Sequence, residues 1–157
     1  MTVINFSNRQ RKTKLPDNTE LLVRDAINAS LETEGFYEDA EVNVTFVSDA
    51  KIKEINRDFR DVNSSTDVLS FPLSDNGEYD VNPENGCLML GDVIISIDHA
   101  LAQAELFGHG IEREIAYLTV HSMFHLLGYD HLDEGEEKKR MRNKEEAALS
   151  IIGLQII

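Results

Sequence analysis

Cysteine and long apolar runs are both scarce in this chain of 157 residues. Its single cysteine, Cys87, excludes an internal disulfide and makes a reducing cytoplasm the simplest location. No apolar run reaches the roughly 18 residues that a membrane helix needs. The first residues also lack the pattern of a secretory signal or an anchor. These absences predict a cytoplasmic protein with no membrane partner.

Basic residues are few relative to acidic ones, 15 against 29, which gives a formal net charge of −14. The summed negative field disfavours non-specific binding to nucleic acid, and no DNA partner is expected. A local site for RNA is still compatible with this charge, because salt screens exposed charges beyond about 8 Å. The lysines and arginines are in fact clustered, although most such clusters are ordinary solvated surface.

The length and the 41 % of hydrophobic residues predict a single domain over residues 1–157. No internal repeat, low-complexity segment or domain linker is visible. The order of predicted elements indicates an α/β sandwich with a mixed sheet of about four strands and about five helices. The predicted strands are 3–6, 41–47, 67–71 and 88–96, and the predicted helices are 19–35, 48–60, 97–108, 111–128 and 133–152.

The helix predicted over residues 111–128 is apolar on most sides between Ala116 and Leu127, which predicts a central, buried helix. It carries His121 and His125, which are four residues apart and therefore lie one turn apart on the same face. A glycine shortly after them allows the chain to leave the helix in a left-handed turn. His131, six residues after His125, could then return to supply a third nitrogen. Three imidazoles and one open position are typical of a catalytic zinc site.

A single helical histidine is usually an ordinary hydrogen-bonded residue, but three at this spacing favour a metal. The spacing is that of the metzincin proteases, with one departure. Ser122 replaces the glutamate that would act as base in peptide hydrolysis. This replacement argues against a protease and leaves the metal site intact. Glu114 cannot replace that base, because it lies about 10 Å along the helix from His121.

Three further polar residues have two interpretations each. Asp130 could orient a ligand histidine or cap the next helix. Arg57 and Arg60 end the helix predicted over residues 48–60, where a helix dipole favours cations in any protein. That ordinary interpretation is favoured from the residues alone, and contact with a substrate is the alternative. His99 and His109 fall outside the metal spacing, and we assign them no metal.

Three segments together resemble the YbeY family, the bacterial endoribonucleases of rRNA maturation. INRDFRDVNSSTDVLSFPL (55–73) is similar to the family's N-x-x-x-R segment and the strand that follows it. LGDVIIS (90–96) is similar to its L-G-D-I-x-I-S strand, and HSMFHLLGYDH (121–131) to its histidine signature. The resemblance runs in register from about Val42 to about residue 150. Its departures, such as Ser122 for glycine, remove no candidate ligand.

The resemblance implies one zinc-type ion per chain, held by His121, His125 and His131, with Arg60 as the functional arginine. It implies a single-strand-specific endoribonuclease that acts in 16S rRNA 3′-end maturation and ribosome quality control in the cytoplasm. The implied partners are single-stranded RNA or rRNA and the ribosomal subunit or ribosome-associated proteins. Arg57 and Asp130 are kept as residues that support the metal site or contact the substrate.

The residues alone predict only a metal-dependent hydrolase that is not a protease. Two alternatives to the endoribonuclease therefore stay open at this point. One is another zinc-dependent hydrolase on the same scaffold, acting on a peptide or a small molecule. The other is a non-enzymatic ribosome assembly factor. Nickel or another divalent metal could also replace zinc on three neutral imidazoles.

Overall fold

The computed structural model of the chain describes residues 1–74, 77–129 and 135–154. Its elements follow one another in the predicted order, and the predicted α/β class with four strands and five helices is confirmed. The strands are β1 (Thr2–Asn8), β2 (Ala40–Val47), β3 (Val68–Pro72) and β4 (Leu88–Ser96). The helices are α1 (Thr19–Glu34), α2 (Asp49–Arg60), α3 (Ile97–Phe107), α4 (Ile111–Leu126) and α5 (Glu136–Ile151).

The four strands form one mixed sheet in the order β1-β2-β4-β3. β1 and β4 pair with β2 in parallel, whereas β3 pairs with β4 in the antiparallel sense and lies at the edge. We expected Pro72 to stop the third strand after residue 71, but Pro72 is its last residue and pairs with Gly91. An edge strand tolerates proline, because the missing N–H is not needed for a further strand.

Helices cover both faces of the sheet. Ser70 of β3 contacts Ser122 of α4 through their hydroxyls. Its neighbours Leu69 and Phe71 point the other way, into a small cluster with Ile52 of α2. α4 and α2 therefore lie on opposite sides of β3, which makes the fold a sandwich.

α2 differs in part from its prediction. Ser48 caps its first turn as expected, accepting a hydrogen bond from the Lys51 N–H at 3.2 Å. Of the predicted apolar face, Ile52 is buried and Ile55 is half-buried, but Phe59 is 74 % exposed. The end of the helix extends past the packed cluster, where the Phe59 ring contacts Phe71 of the edge strand, with 6.0 Å between ring centroids.

α4 is the central helix, as predicted. It packs against α1, α3 and α5 and against strands β3 and β4. Most of its apolar side chains are fully buried, among them Ile115, Leu118, Met123 and Phe124. Consequently, each buried polar side chain on this helix needs a hydrogen-bonding partner.

α5 is a charged helix with one buried side. The predicted Met141 and Ala148 are buried, and Ile152, just past the end of the helix, is half-buried. The predicted start at residue 133 lies outside the described residues. Within the described part of the chain, no helix has the length and hydrophobicity to cross a membrane.

Gly91 of β4 permits the close approach of α4 and β3. Its φ of +144° is rarely adopted by residues with a side chain. A Cβ there would collide with the carbonyl oxygen of Phe71 and lie 2.9 Å from Cδ2 of Leu126 in the last turn of α4.

Gly91→Ala should therefore lower the free energy of unfolding by about 2–5 kcal/mol, through backbone strain and overpacking together. Urea unfolding followed by circular dichroism measures this loss. Gly110→Ala is the control, because a Cβ at Gly110 meets open space, and it should cost no more than about 1 kcal/mol. Equal losses in the two variants would contradict the packing argument.

Candidate metal centre

Two imidazole rings of α4 face each other. The Nε2 atoms of His121 and His125 are 3.2 Å apart, and the rings are nearly perpendicular, with 4.7 Å between their centroids. Both side chains are half-buried at the wall of a cavity. The spacing of four residues therefore places both rings on one face, as predicted.

The other nitrogen of each ring is held by an acceptor. Nδ1 of His121 donates to a carboxylate oxygen of Glu145 in α5 at 2.5 Å. Nδ1 of His125 donates to the backbone carbonyl of Tyr129 at 2.9 Å. Neither acceptor carries a hydrogen, so Nδ1 carries the proton in both neutral rings and the lone pair lies on Nε2. Acceptors of this kind are what orients ligand histidines in metal sites.

Gly128 brings the hydrogen-bond acceptor of His125 into position. Its φ of +103° is in the left-handed region, as the sequence predicted, and it turns the chain back after α4. The turn places the Tyr129 carbonyl oxygen within hydrogen-bonding distance of Nδ1 of His125. The Tyr129 hydroxyl donates to Glu34 of α1 at 2.8 Å, which anchors the turn. Burial, with the Glu34 hydrogen bond, raises the pKa of Tyr129 to about 12, so this hydroxyl stays protonated.

The histidine pair fits a tetrahedral metal ion. Zinc bound to two imidazoles at 2.0–2.1 Å separates their nitrogens by about 3.3 Å, close to the 3.2 Å between the two Nε2 atoms. Within residues 1–74, 77–129 and 135–154, no three histidine, cysteine, aspartate or glutamate side chains form a metal-binding group. The predicted third ligand, His131, and the predicted Asp130 lie outside the described residues.

Arg60 lines the same cavity as the two histidines. The cavity has a volume of about 550 Å³, and the hydroxyls of Thr66 and Ser70 and the carboxylate of Asp67 also line it. Arg60 is the last residue of α2, and Asp61 after it has a left-handed φ of 58°. The end of α2 and the sharp turn after it place Arg60 in the lining of this cavity.

Ser122 does not point into this cavity. Its side chain is fully buried, and its hydroxyl lies 2.5 Å from that of Ser70 on β3. The residue that follows the first histidine therefore serves to join α4 to the edge strand.

Comparisons with known proteins identify the family. The family model described as Endoribonuclease YbeY matches residues 5–153. The chain belongs to the YbeY endoribonuclease family. A protein named Endoribonuclease YbeY from Caldanaerobacter subterraneus subsp. tengcongensis is 48 % identical over 96 % of this chain and 97 % of its own. Another of that name, from Finegoldia magna, is 44 % identical over 97 % of this chain and 95 % of its own.

A solved structure shares the fold. The solution structure of TM1509 from Thermotoga maritima aligns with a TM-score of 0.56 at 25 % sequence identity. The alignment covers 96 % of this chain and 91 % of that one. The α/β sandwich and the family resemblance predicted from sequence are both confirmed.

Other predicted polar residues lie away from the YbeY histidine pair. Arg57 is exposed, bonds the neighbouring Asp58 at 3.1 Å and is not among the described residues that line the cavity. Glu114 is buried beside His109, at 2.6 Å. His99 bonds Asp49. The two histidines to which we assigned no metal therefore have carboxylate partners elsewhere.

Sequence reasoning missed two residues that position this site. Glu145 holds the His121 ring, and Asn56 donates from its side-chain amide to the Ser64 carbonyl at 3.0 Å, fixing the loop beside Arg60. A signal for Glu145 was present: it shares the helical spacing of the buried Met141 and Ala148, so it is a carboxylate on an apolar face.

Glu145→Ala should lower metal affinity about 10–100-fold, because the His121 ring loses the acceptor that fixes its orientation. Competition with a chromophoric chelator measures the affinity, and the melting temperature shows whether the fold persists. Glu137→Ala, at an exposed position in the first turn of α5, is the control. If Glu145→Ala binds metal as tightly as Glu137→Ala does, Glu145 does not position the metal site.

Proposed function

We propose that this chain is a metal-dependent, single-strand-specific endoribonuclease that binds its metal through His121, His125 and His131. The observation that carries the proposal is the opposed histidine pair in one cavity with Arg60. The relatives named Endoribonuclease YbeY support RNA as the substrate. We infer that the whole chain, residues 1–157, acts as one hydrolase domain.

Arg60 supplies the phosphate contact in this proposal. A guanidinium stays charged at every physiological pH and can hold two phosphate oxygens at once. It lines the same cavity as the histidines, so a phosphodiester bound in that cavity lies beside a positive charge. This local cation counteracts the repulsion that a chain of net charge −14 exerts on RNA. Arg57, outside the cavity, is proposed only as an outer contact to the RNA backbone.

A divalent metal supplies activation of water and polarisation of a phosphoryl oxygen when it is bound. The chain's own contribution is orientation. Glu145 and the Tyr129 carbonyl fix the two rings. The lining of the cavity is fixed in the same way, because the Thr66 hydroxyl donates to Asp67 at 3.3 Å and the Ser70 hydroxyl is bonded to Ser122. Three neutral imidazoles suit zinc, and we propose one zinc ion per chain, with nickel or another divalent metal as a substitute.

The biological setting follows from the family. We propose that the substrate is rRNA, that cleavage matures the 3′ end of 16S rRNA and that the partners are the ribosomal subunit or ribosome-associated proteins. The proposed location is the cytoplasm. Peptide hydrolysis on the same scaffold is disfavoured, because the buried Ser122 is directed at β3.

Arg60→Ala should keep the fold and the metal but reduce RNA cleavage by about 30- to 1000-fold, or about 2–4 kcal/mol of transition-state stabilisation. Arg60→Lys should recover only part of the rate, because ammonium lacks the planar fork. Melting temperature, metal content and cleavage of an unstructured RNA are measured on the same preparation.

Lys53→Ala removes another exposed cation of α2 outside the cavity lining and is the matched control. It should cleave RNA at close to the wild-type rate. Arg60→Ala with wild-type cleavage per metal-bound molecule would exclude Arg60 from the reaction.

A further inference from the structure

A second cavity lies next to the cavity lined by His121, His125 and Arg60, which we call the metal cavity. Its volume is about 540 Å³, close to the 550 Å³ of the first. Asp67, the residue before β3, lines both cavities. Asp67 therefore lies at the border between the two spaces, so neighbouring parts of one RNA strand can reach them both.

The second cavity lies directly behind His121. Tyr117 and Glu145 line it, and both contact the His121 ring. The Tyr117 ring stacks on the imidazole, with 5.8 Å between centroids and 27° between planes. The Tyr117 ring is therefore an aromatic wall of this cavity.

A hydrogen-bonded chain fixes the polar side of this cavity. Arg113 donates to Nδ1 of His109 at 2.7 Å, and Nε2 of His109 donates to Glu114 at 2.6 Å. The Gln103 amide donates to Glu114 at 3.1 Å and to Asp67 at 3.3 Å. These bonds fix the positions of the Asp67 and Glu114 carboxylates and of the Gln103 side-chain carbonyl, which are hydrogen-bond acceptors in the lining of the cavity.

The rim of the cavity carries an exposed aromatic ring and a cation. Phe107, the last residue of α3, is 63 % exposed, and its ring is supported by that of His109 with 5.9 Å between centroids. Arg142 of α5 also lines the cavity and is exposed. An exposed aromatic ring and an arginine at one cavity are the residue types that stack an unpaired base and contact its phosphate.

We propose that the second cavity binds one unpaired nucleobase of the RNA whose phosphodiester lies in the metal cavity. Aromatic walls suit the base, carboxylates suit its amino and imino N–H groups, and the phosphate stays outside beside Arg142. A phosphate inside would meet Asp67, Glu114 and Glu145. The inference rests on the proposed endoribonuclease function and adds a site that selects unpaired RNA, because a paired base cannot leave its helix cheaply.

The test compares Phe107→Ala with Leu106→Ala, the adjacent residue of α3, which is 77 % exposed and does not line either cavity. Binding of a labelled single-stranded RNA to the metal-depleted chain is measured by fluorescence anisotropy, so that cleavage does not intervene. Phe107→Ala should bind at least about fivefold more weakly, as expected for the loss of one stacked base. Leu106→Ala should bind like wild type.

A set of RNAs, each with one abasic nucleotide at a different position, identifies which base occupies the second cavity. Wild-type binding should weaken at one position, and Phe107→Ala should be insensitive to the abasic change at that position. If Phe107→Ala and Leu106→Ala bind RNA equally well, and wild type reloaded with metal cleaves RNA normally, the second cavity is not the base-binding site. The proposed endoribonuclease function would then still stand. If metal-loaded wild type cleaves no RNA, the proposed function fails and this inference fails with it.

Discussion

The hydrogen bonds to the two Nδ1 atoms are the constraint on which the site depends. A buried helix can carry His121 and His125 only if their second nitrogens find acceptors. Glu145 and the Tyr129 carbonyl supply them, at 2.5 and 2.9 Å. These bonds also fix the lone pair of each ring on Nε2. The same contacts therefore satisfy the buried Nδ1 donors and leave each Nε2 able to bind a metal.

Several parts of the fold bring the donors and acceptors of those two hydrogen bonds together. Gly128 turns the chain so that the Tyr129 carbonyl returns over the helix end. Packing of α5 against α4 brings Glu145 to His121. The Ser70–Ser122 contact holds the edge strand against α4, and Arg60 lines the cavity from the last residue of α2. Both cavities therefore share walls whose positions follow from the central helix.

The sequence predicted those features that depend on local geometry. A helical period relates His121 to His125, and only a glycine readily supplies the φ of +103° at position 128. Glu145 could not be assigned a partner, because it lies 24 residues after His121 and meets it only through the packing of α5 on α4. The order of the sheet is equally non-local, since β4 inserts between β2 and β3. Phe59 followed the apolar period of α2 but lies where that helix has no core to cover.

The most direct test of a metal held by the α4 histidines for RNA cleavage is a metal titration of the untagged, metal-depleted chain. Cleavage of an unstructured RNA is followed as zinc is added in known amounts per chain. We expect no cleavage without metal, a linear rise and a plateau at one ion per chain, with no recovery in His121→Ala. Cleavage by the metal-depleted chain, or one bound ion per chain without any cleavage, would contradict the account.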